Sequence, residues 1–191
     1  SGLHVVNNAS VILAEGNTFS NNSGYGIRVW LAGSLTMWGG TQLTSPTTIS
    51  GNTKGPIRVD EGGSALLSNL TLASQSKGII IQNANFVKLD NVTITGSGDF
   101  GINVWGTNIG LEYSTISGST NAEIYAEFST INLEKTAITG TAGSDEIKLN
   151  YGSMLFIGTG TTITGTVKCD GSVDNNSISN WTNLTLTTSG C

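Results

Sequence analysis

Charge is the scarcest ingredient of this 191-residue chain. Charged residues make up 11% of it, against roughly 25% in an average domain. Proline occurs twice, methionine twice, cysteine twice and histidine once. So little charge excludes a coiled coil or an acidic disordered tail. With 8 basic against 13 acidic residues and a net charge of −5, the chain lacks the basic surface that a nucleic-acid reader needs. No apolar run reaches the roughly 18 residues of a membrane helix. What is abundant is small and polar. Gly, Thr, Ser and Asn number 26, 26, 22 and 19, about half the chain. Such a composition suits a flexible linker, but aliphatic residues recur throughout without a long gap. No domain boundary is visible, and residues 1–191 read as one β-rich domain with a real core.

Self-similarity sets the architecture. The pattern Gly-Φ-x-Φ occurs as Gly2-Leu3-His4-Val5, Gly26-Ile27-Arg28-Val29, Gly78-Ile79-Ile80-Ile81 and Gly101-Ile102-Asn103-Val104. Relatives without the glycine begin at Pro56, Glu123, Glu146 and Thr166. The first apolar residues stand at 3, 27, 57, 79, 102, 124, 147 and 167, in steps of 24, 30, 22, 23, 22, 23 and 20. The long step is assigned to an insertion near 38–46. A second apolar segment follows each first one, as in Val87-Lys88-Leu89 and Ile109-Gly110-Leu111. A third follows that, as in Thr93-Ile94-Thr95 and Thr115-Ile116-Ser117.

Each repeat is therefore three short strands of period two, joined by turns rich in Gly, Asn and Ser, whose freedom suits unusual φ. One repeat cannot bury its inward residues alone, whereas stacked repeats can. The expected fold is all-β: a right-handed, single-stranded parallel β-helix of about eight coils, the hand being the default for parallel connections. Repeats such as Val92-Thr93-Ile94-Thr95-Gly96 followed by Gly101-Ile102 resemble the pectin-lyase-like superfamily of right-handed parallel β-helices, over nearly the whole chain. The resemblance implies the fold and a range of roles: polysaccharide lyases and hydrolases, tailspikes, adhesins and scaffolds. The calcium-binding aspartates and the His and Arg motifs of its lyases and polygalacturonases are not found here.

Cys169 holds an inward position, and Cys191 follows 22 residues later, one coil on. Neighbouring rungs suit disulfide geometry, so a Cys169–Cys191 bridge is expected to staple the terminal coil, 167–191. A structural bridge implies an oxidising compartment and hence a secreted or cell-surface protein.

The outward positions of the first strand column can be read directly. One row is His4, Arg28, Arg58, Ile80, Asn103, Tyr125, Lys148 and Lys168. Its neighbour contains Trp30, Asp60, Gln82, Trp105 and Glu127. Arg28, Trp30, Arg58, Trp105 and Tyr125 form a candidate glycan-contact set, since aromatic rings and guanidinium groups stack on sugars. Packing against flanking loops is the structural alternative. Glu123 and Glu146 occupy equivalent positions of adjacent coils and, with Asp145, form a weak candidate calcium site. A solvated turn with the charges held apart is the ordinary alternative. Asp90, Glu112 and Glu134 make a further carboxylate column, with Lys88 and Lys135 beside it as ion-pair partners.

The third strand carries two rows of small hydroxyls. Thr18, Thr48, Thr71, Thr93, Thr115 and Thr162 form one. Ser20, Ser50, Thr95, Ser117, Thr139 and Thr164 form the other. Such a Thr-x-Thr array looks like an ice-binding surface, although threonine ladders also stabilise sheets in their own right.

Both end segments, Gly2–Val5 and Asn180–Leu186, read as strand, and bare strand edges template association. The expectation is thus a non-catalytic extracellular structural solenoid, a subunit of a head-to-tail surface filament or fibre. The alternatives are a carbohydrate-binding adhesin or tailspike-like segment, an ice-binding protein, and a polysaccharide lyase- or hydrolase-like enzyme. No cofactor is implied. The expected partners are further copies end to end, with a glycan or an ice surface as alternatives. Nucleic acid and membrane insertion are not expected.

Overall fold

A computed structural model describes residues 1–14, 16–37, 46–73, 75–141 and 144–169, together with the backbone of 178–179 and 186–189. The first coil is β1 (Leu3–Val5), β2 (Ser10–Leu13) and β3 (Thr18–Ser20). The second is β4 (Tyr25–Val29), β5 (Ser34–Met37) and β6 (Thr47–Ser50). In the third, β7 (Gly55–Asp60) is followed by β8 (Ser64–Ala73), and in the fourth β9 (Ile79–Gln82) by β10 (Phe86–Thr95). The fifth is β11 (Phe100–Trp105), β12 (Asn108–Glu112) and β13 (Thr115–Ser117); the sixth is β14 (Ala122–Glu127), β15 (Thr130–Glu134) and β16 (Ala137–Thr139). The seventh has β17 (Asp145–Asn150), β18 (Met154–Ile157) and β19 (Thr162–Cys169), which runs on into the next coil. There β20 (Ile178–Ser179) pairs with β18, and β21 (Leu186–Ser189), one coil further on, pairs with Gly165–Lys168 of β19.

The pairings between successive coils are parallel, and the described residues contain no helix. The molecule is a parallel β-solenoid of about seven turns. The expected count was about eight, but the third strand that would close an eighth coil falls outside the described residues. Most of the expected insertion near 38–46 and of the terminal coil 167–191 also lies outside them.

The sequence periods translate into register. Leu3 stands opposite Ile27, Ile27 opposite Ile57, and Ile102 lies between Ile79 and Ile124. Ile147 and Val167 continue the row. We call the three strand columns the first, second and third ladders. Their inward aliphatic residues form one continuous buried core along the stack. Each such side chain contributes about 1.5–3 kcal/mol by leaving water.

The corners explain where the remaining polar residues go. Between the first and second ladders, the Ala84 N–H donates to Thr107 Oγ1 (3.0 Å), the Thr107 N–H to Ser129 Oγ and the Ser129 N–H to Ser153 Oγ (both 3.2 Å). Each hydroxyl in turn donates to a backbone carbonyl of its own coil: Trp105, Glu127 and Asn150. Between the second and third ladders, the Val92 N–H donates to Ser114 Oγ and the Thr136 N–H to Thr161 Oγ1. These hydroxyls are buried. They satisfy amides that the turns remove from the strand ladders, where an unpaired buried group would cost about 1–3 kcal/mol.

Tight corners also require left-handed backbone. Asn83, Gly106, Phe128 and Tyr151 stand at the first corner of successive coils; the three non-glycine residues have φ of 48°, 49° and 50°, and Gly106 has 60°. Asn and Gly adopt this conformation readily, whereas other L-residues lose roughly 1–2 kcal/mol in it.

Candidate functional site

The first ladder displays the expected outward row in order. His4 pairs with Arg28, Arg28 with Arg58, Arg58 with Ile80, Ile80 with Asn103, Asn103 with Tyr125, and Tyr125 with Lys148. Lys168 follows. The structure divides the five glycan-contact candidates into two groups along this row.

Arg28 and Arg58 converge on Asp60, and Trp30 packs against Arg28. The Asp60 carboxylate is covered, with the residue only 1% exposed. Its Oδ2 accepts from Arg28 Nη2 at 3.2 Å and from Arg58 Nε. Arg58 also donates to the Tyr25 hydroxyl (3.3 Å) and to Gln82 Oε1 (3.0 Å). Burial pulls the Arg58 guanidinium down, but its bonds to Tyr25 and Asp60 outweigh this and hold it above its ordinary value. The Arg28 guanidinium lies 4.3 Å from the Trp30 ring centroid, a cation–π distance. The His4 ring stacks on Trp30 at 5.8 Å. Asp60 Oδ1, Arg28 Nε and Trp30 Nε1 are buried without a hydrogen-bond partner among the described residues. Each is a desolvated polar atom that a ligand hydroxyl would satisfy.

Trp105 and Tyr125 lie on the later rungs of the face. Tyr125 packs its ring on Phe100 at 4.8 Å, donates its hydroxyl to Glu127 and accepts from Asn150 Nδ2 at 2.9 Å. Burial and the bond to Glu127 push that hydroxyl up to about 12. Trp105 is half-buried between Gln82 and Glu127 in the adjoining row.

Asp145, Glu123 and Glu146, the candidate calcium set, do not gather into one cluster. Asp145 pairs with Lys148 at 3.4 Å and Lys168 at 3.8 Å. Glu123 and Glu146 are not on a solvated turn either; both are buried, Glu123 at 0% exposure. They occupy the column of Gly26, Gly78 and Gly101, at the corner between the third and first ladders. At its glycine positions that column is too tight for a side chain, although Pro56 and Thr166 also stand in it. A Cβ on Gly78 would fall on the Gly101 carbonyl, and one on Gly101 would meet the Glu123 carbonyl and the Ser119 hydroxyl. At coils six and seven the corner instead takes in a carboxyl group. Glu123 accepts from the Ser119 N–H (2.9 Å) and hydroxyl, and Glu146 accepts from the Thr166 N–H. Burial raises the Glu123 carboxyl above its usual range. The Ser119 bonds oppose this, and the nearby charge of Glu146 adds to it. Among the described residues no group of three or more His, Cys, Asp or Glu could hold a metal ion.

The third ladder carries both hydroxyl rows as expected. Thr18, Thr48, Thr71, Thr93 and Thr115 stand in register, followed by Ala137 and Thr162. Ser20 faces Ser50, and Thr95, Ser117, Thr139 and Thr164 continue the second row. Thr18 Oγ1 and Thr48 Oγ1 are 3.3 Å apart. The carboxylate column of the second ladder is likewise in register. Lys88 donates to Glu112 at 2.7 Å, and this bond holds the Glu112 carboxyl below its usual range. Lys135 lies 3.6 Å from Glu134 and donates to the Tyr113 hydroxyl.

Cys169 is buried on the inner side of β19, and no described cysteine is free. Cys191 lies outside the described residues. The register of β19 with β21 sets Val167 opposite Thr188, a step of 21 residues rather than the 22 that the cysteine spacing assumes.

Comparison with protein-family models, with curated proteins and with solved structures gives no match.

Proposed function

We propose that this chain is a non-catalytic, extracellular structural β-solenoid: a subunit or segment of a surface fibre whose coils stack end to end. Coil-to-coil stacking supports the reading. In-register ladders on every side are reinforced at the corners by buried hydroxyl and carboxyl groups that bond to neighbouring backbone. The abundant Ser, Thr and Asn thus serve cohesion along one axis. The repeat is that of a pectin-lyase-like β-helix turned to scaffolding, and a Cys169–Cys191 bridge closes its terminal coil. Size-exclusion chromatography with electron microscopy at rising protein concentration is the test. Rods that lengthen with concentration are expected; a strictly monomeric particle at every concentration rejects the fibre.

A second reading, a saccharide-binding segment, is favoured by the Arg28–Trp30–Arg58–Asp60 cluster and its three buried, unpartnered polar atoms. It predicts glycan-array binding that Trp30→Ala abolishes. Binding that survives this change would place the glycan elsewhere.

A further inference from the structure

The second-ladder face is uneven where the third is flat. Across coils four to seven its outward row reads Lys88, Gly110, Asn132 and Phe156, in register. Gly110 leaves a gap in that row, for a Cβ there would meet nothing within 4 Å. The gap opens a trough of about 380 Å³, lined by Lys88, Gly110, Glu112, Asn132, Glu134 and Phe156.

Beside the trough, coils six and seven raise an aromatic ridge. Phe128 and Tyr151 are 59% and 51% exposed, and their rings stack at 5.2 Å with an interplanar angle of 14°. Met154 and Phe156, 41% and 42% exposed, point outward from β18 on the same coil as Tyr151. Phe128 and Tyr151 hold the left-handed corner conformation that Asn83 and Gly106 supply in coils four and five. Leu31 and Glu61 hold the same conformation at the first corner of coils two and three, and each such residue costs stability relative to Asn or Gly. The exposed surface of Phe128, Tyr151, Met154 and Phe156 together is on the order of 400 Å², in the range of the largest patch on a monomer.

We propose that this face pairs with the same face of a second copy about a two-fold axis. The axis crosses the boundary of ridge and trough, so each aromatic ridge seats in the other copy's trough. Three observations favour a second copy as the occupant. Convex and concave parts lie side by side on one face, which is what an isologous contact requires. The trough rim carries both charge signs, Lys88 against Glu112 and Glu134, so neither copy meets a field of one sign. The patch is about half of the roughly 800 Å² per partner of a standard interface, which fits a reversible dimer completed by its polar rim. The contact is lateral and goes beyond end-to-end stacking.

Analytical ultracentrifugation of the whole chain from micromolar to millimolar concentration tests it. A dimer with a Kd in the micromolar range is expected. Gly110→Gln, whose Cβ would meet nothing within 4 Å, puts a side chain into the trough, and Phe128→Asn with Tyr151→Asn removes the ridge. Each should weaken the dimer at least tenfold. The asparagine pair should at the same time raise the urea midpoint of unfolding, because Asn accepts the corner conformation. That opposite movement of folding and association is what a merely structural role for the two rings would not produce. A chain that stays monomeric up to millimolar concentration overturns the proposal, whether or not a saccharide enters the trough. Association that both variants leave intact also overturns it and locates the contact elsewhere, such as the solenoid ends.

Discussion

The second and third ladders run along the same coils and rest on the same core, yet they present opposite surfaces. The third shows small hydroxyls at almost every outward position. The second shows a lysine, a glycine, an asparagine and a phenylalanine on successive rungs. Inward residues of both ladders are mostly Ile, Leu and Val, and from the second coil onward they are buried, as with Leu89 and Ile94 within β10. Solenoid stacking therefore constrains the inner side of every strand and the corners, and leaves the outer side free to vary. Evenness on one face and relief on another are separate properties laid over one scaffold.

The largest expected effect probes the shared core. Leu89→Ala beneath the second ladder and Ile94→Ala beneath the third should each destabilise the fold by about 2–5 kcal/mol. Denaturant titration checks this. A cost confined to one of the two would break the claim that both faces rest on a single core.

A smaller effect concerns the corner behind the third ladder, where Glu123 is enclosed. Its carboxyl is raised above the usual glutamate range by burial, so the folded state holds that proton more tightly than the unfolded chain. The contribution of this group to stability is greatest below the ordinary glutamate pKa. It falls as pH rises through the raised folded value. Melting temperatures measured against pH should show this slope for the native chain and a flatter profile for Glu123→Gln. Profiles that run parallel would mean that Glu123 titrates as a solvated residue does. Glu112, on the open second-ladder face, is lowered by Lys88 and gives the opposite sign: stability present above the unfolded pKa and lost as pH falls.

The smallest effect is expected on the hydroxyl rows. Thr71→Val and Thr93→Val keep a β-branched side chain on an outward strand position and should change stability by no more than about 0.5 kcal/mol. Ice-recrystallisation inhibition measured on the same proteins asks whether the flat face has a role apart from folding. Inhibition by the native chain that both substitutions abolish supports ice binding; no inhibition at micromolar protein ends that reading.

Much of this was legible as period. The recurrence of Gly-Φ-x-Φ placed Ile27, Ile102 and Ile147 in one buried row, and alternation placed Arg28, Arg58 and Tyr125 outside. Both follow because side chains of a strand alternate and stacked coils repeat at a fixed rise. Corner positions repeat too, but with changing residue types. Glu123 and Glu146 read as solvated turn residues because acidic residues are rarely enclosed. Glu123 is bonded by Ser119 of the turn that leads into its own strand, and Glu146 by Thr166, one coil on in β19. The burial of Asp60 likewise needs Arg28, which is 32 residues away in sequence but one rung away in space. The trough was not read from the sequence, since a gap at Gly110 becomes a concavity only once its walls are placed.

The sequence by itself determined the coil, its three ladders and which side of each strand faces inward, because those depend on local alternation repeated at one period. Only the tertiary structure decided which polar groups are enclosed, that Asp60 and Asp145 have cations, and where the surface is hollow. These depend on which residues of neighbouring coils come to share a corner or a rung, and on the small differences in turn length that set them there.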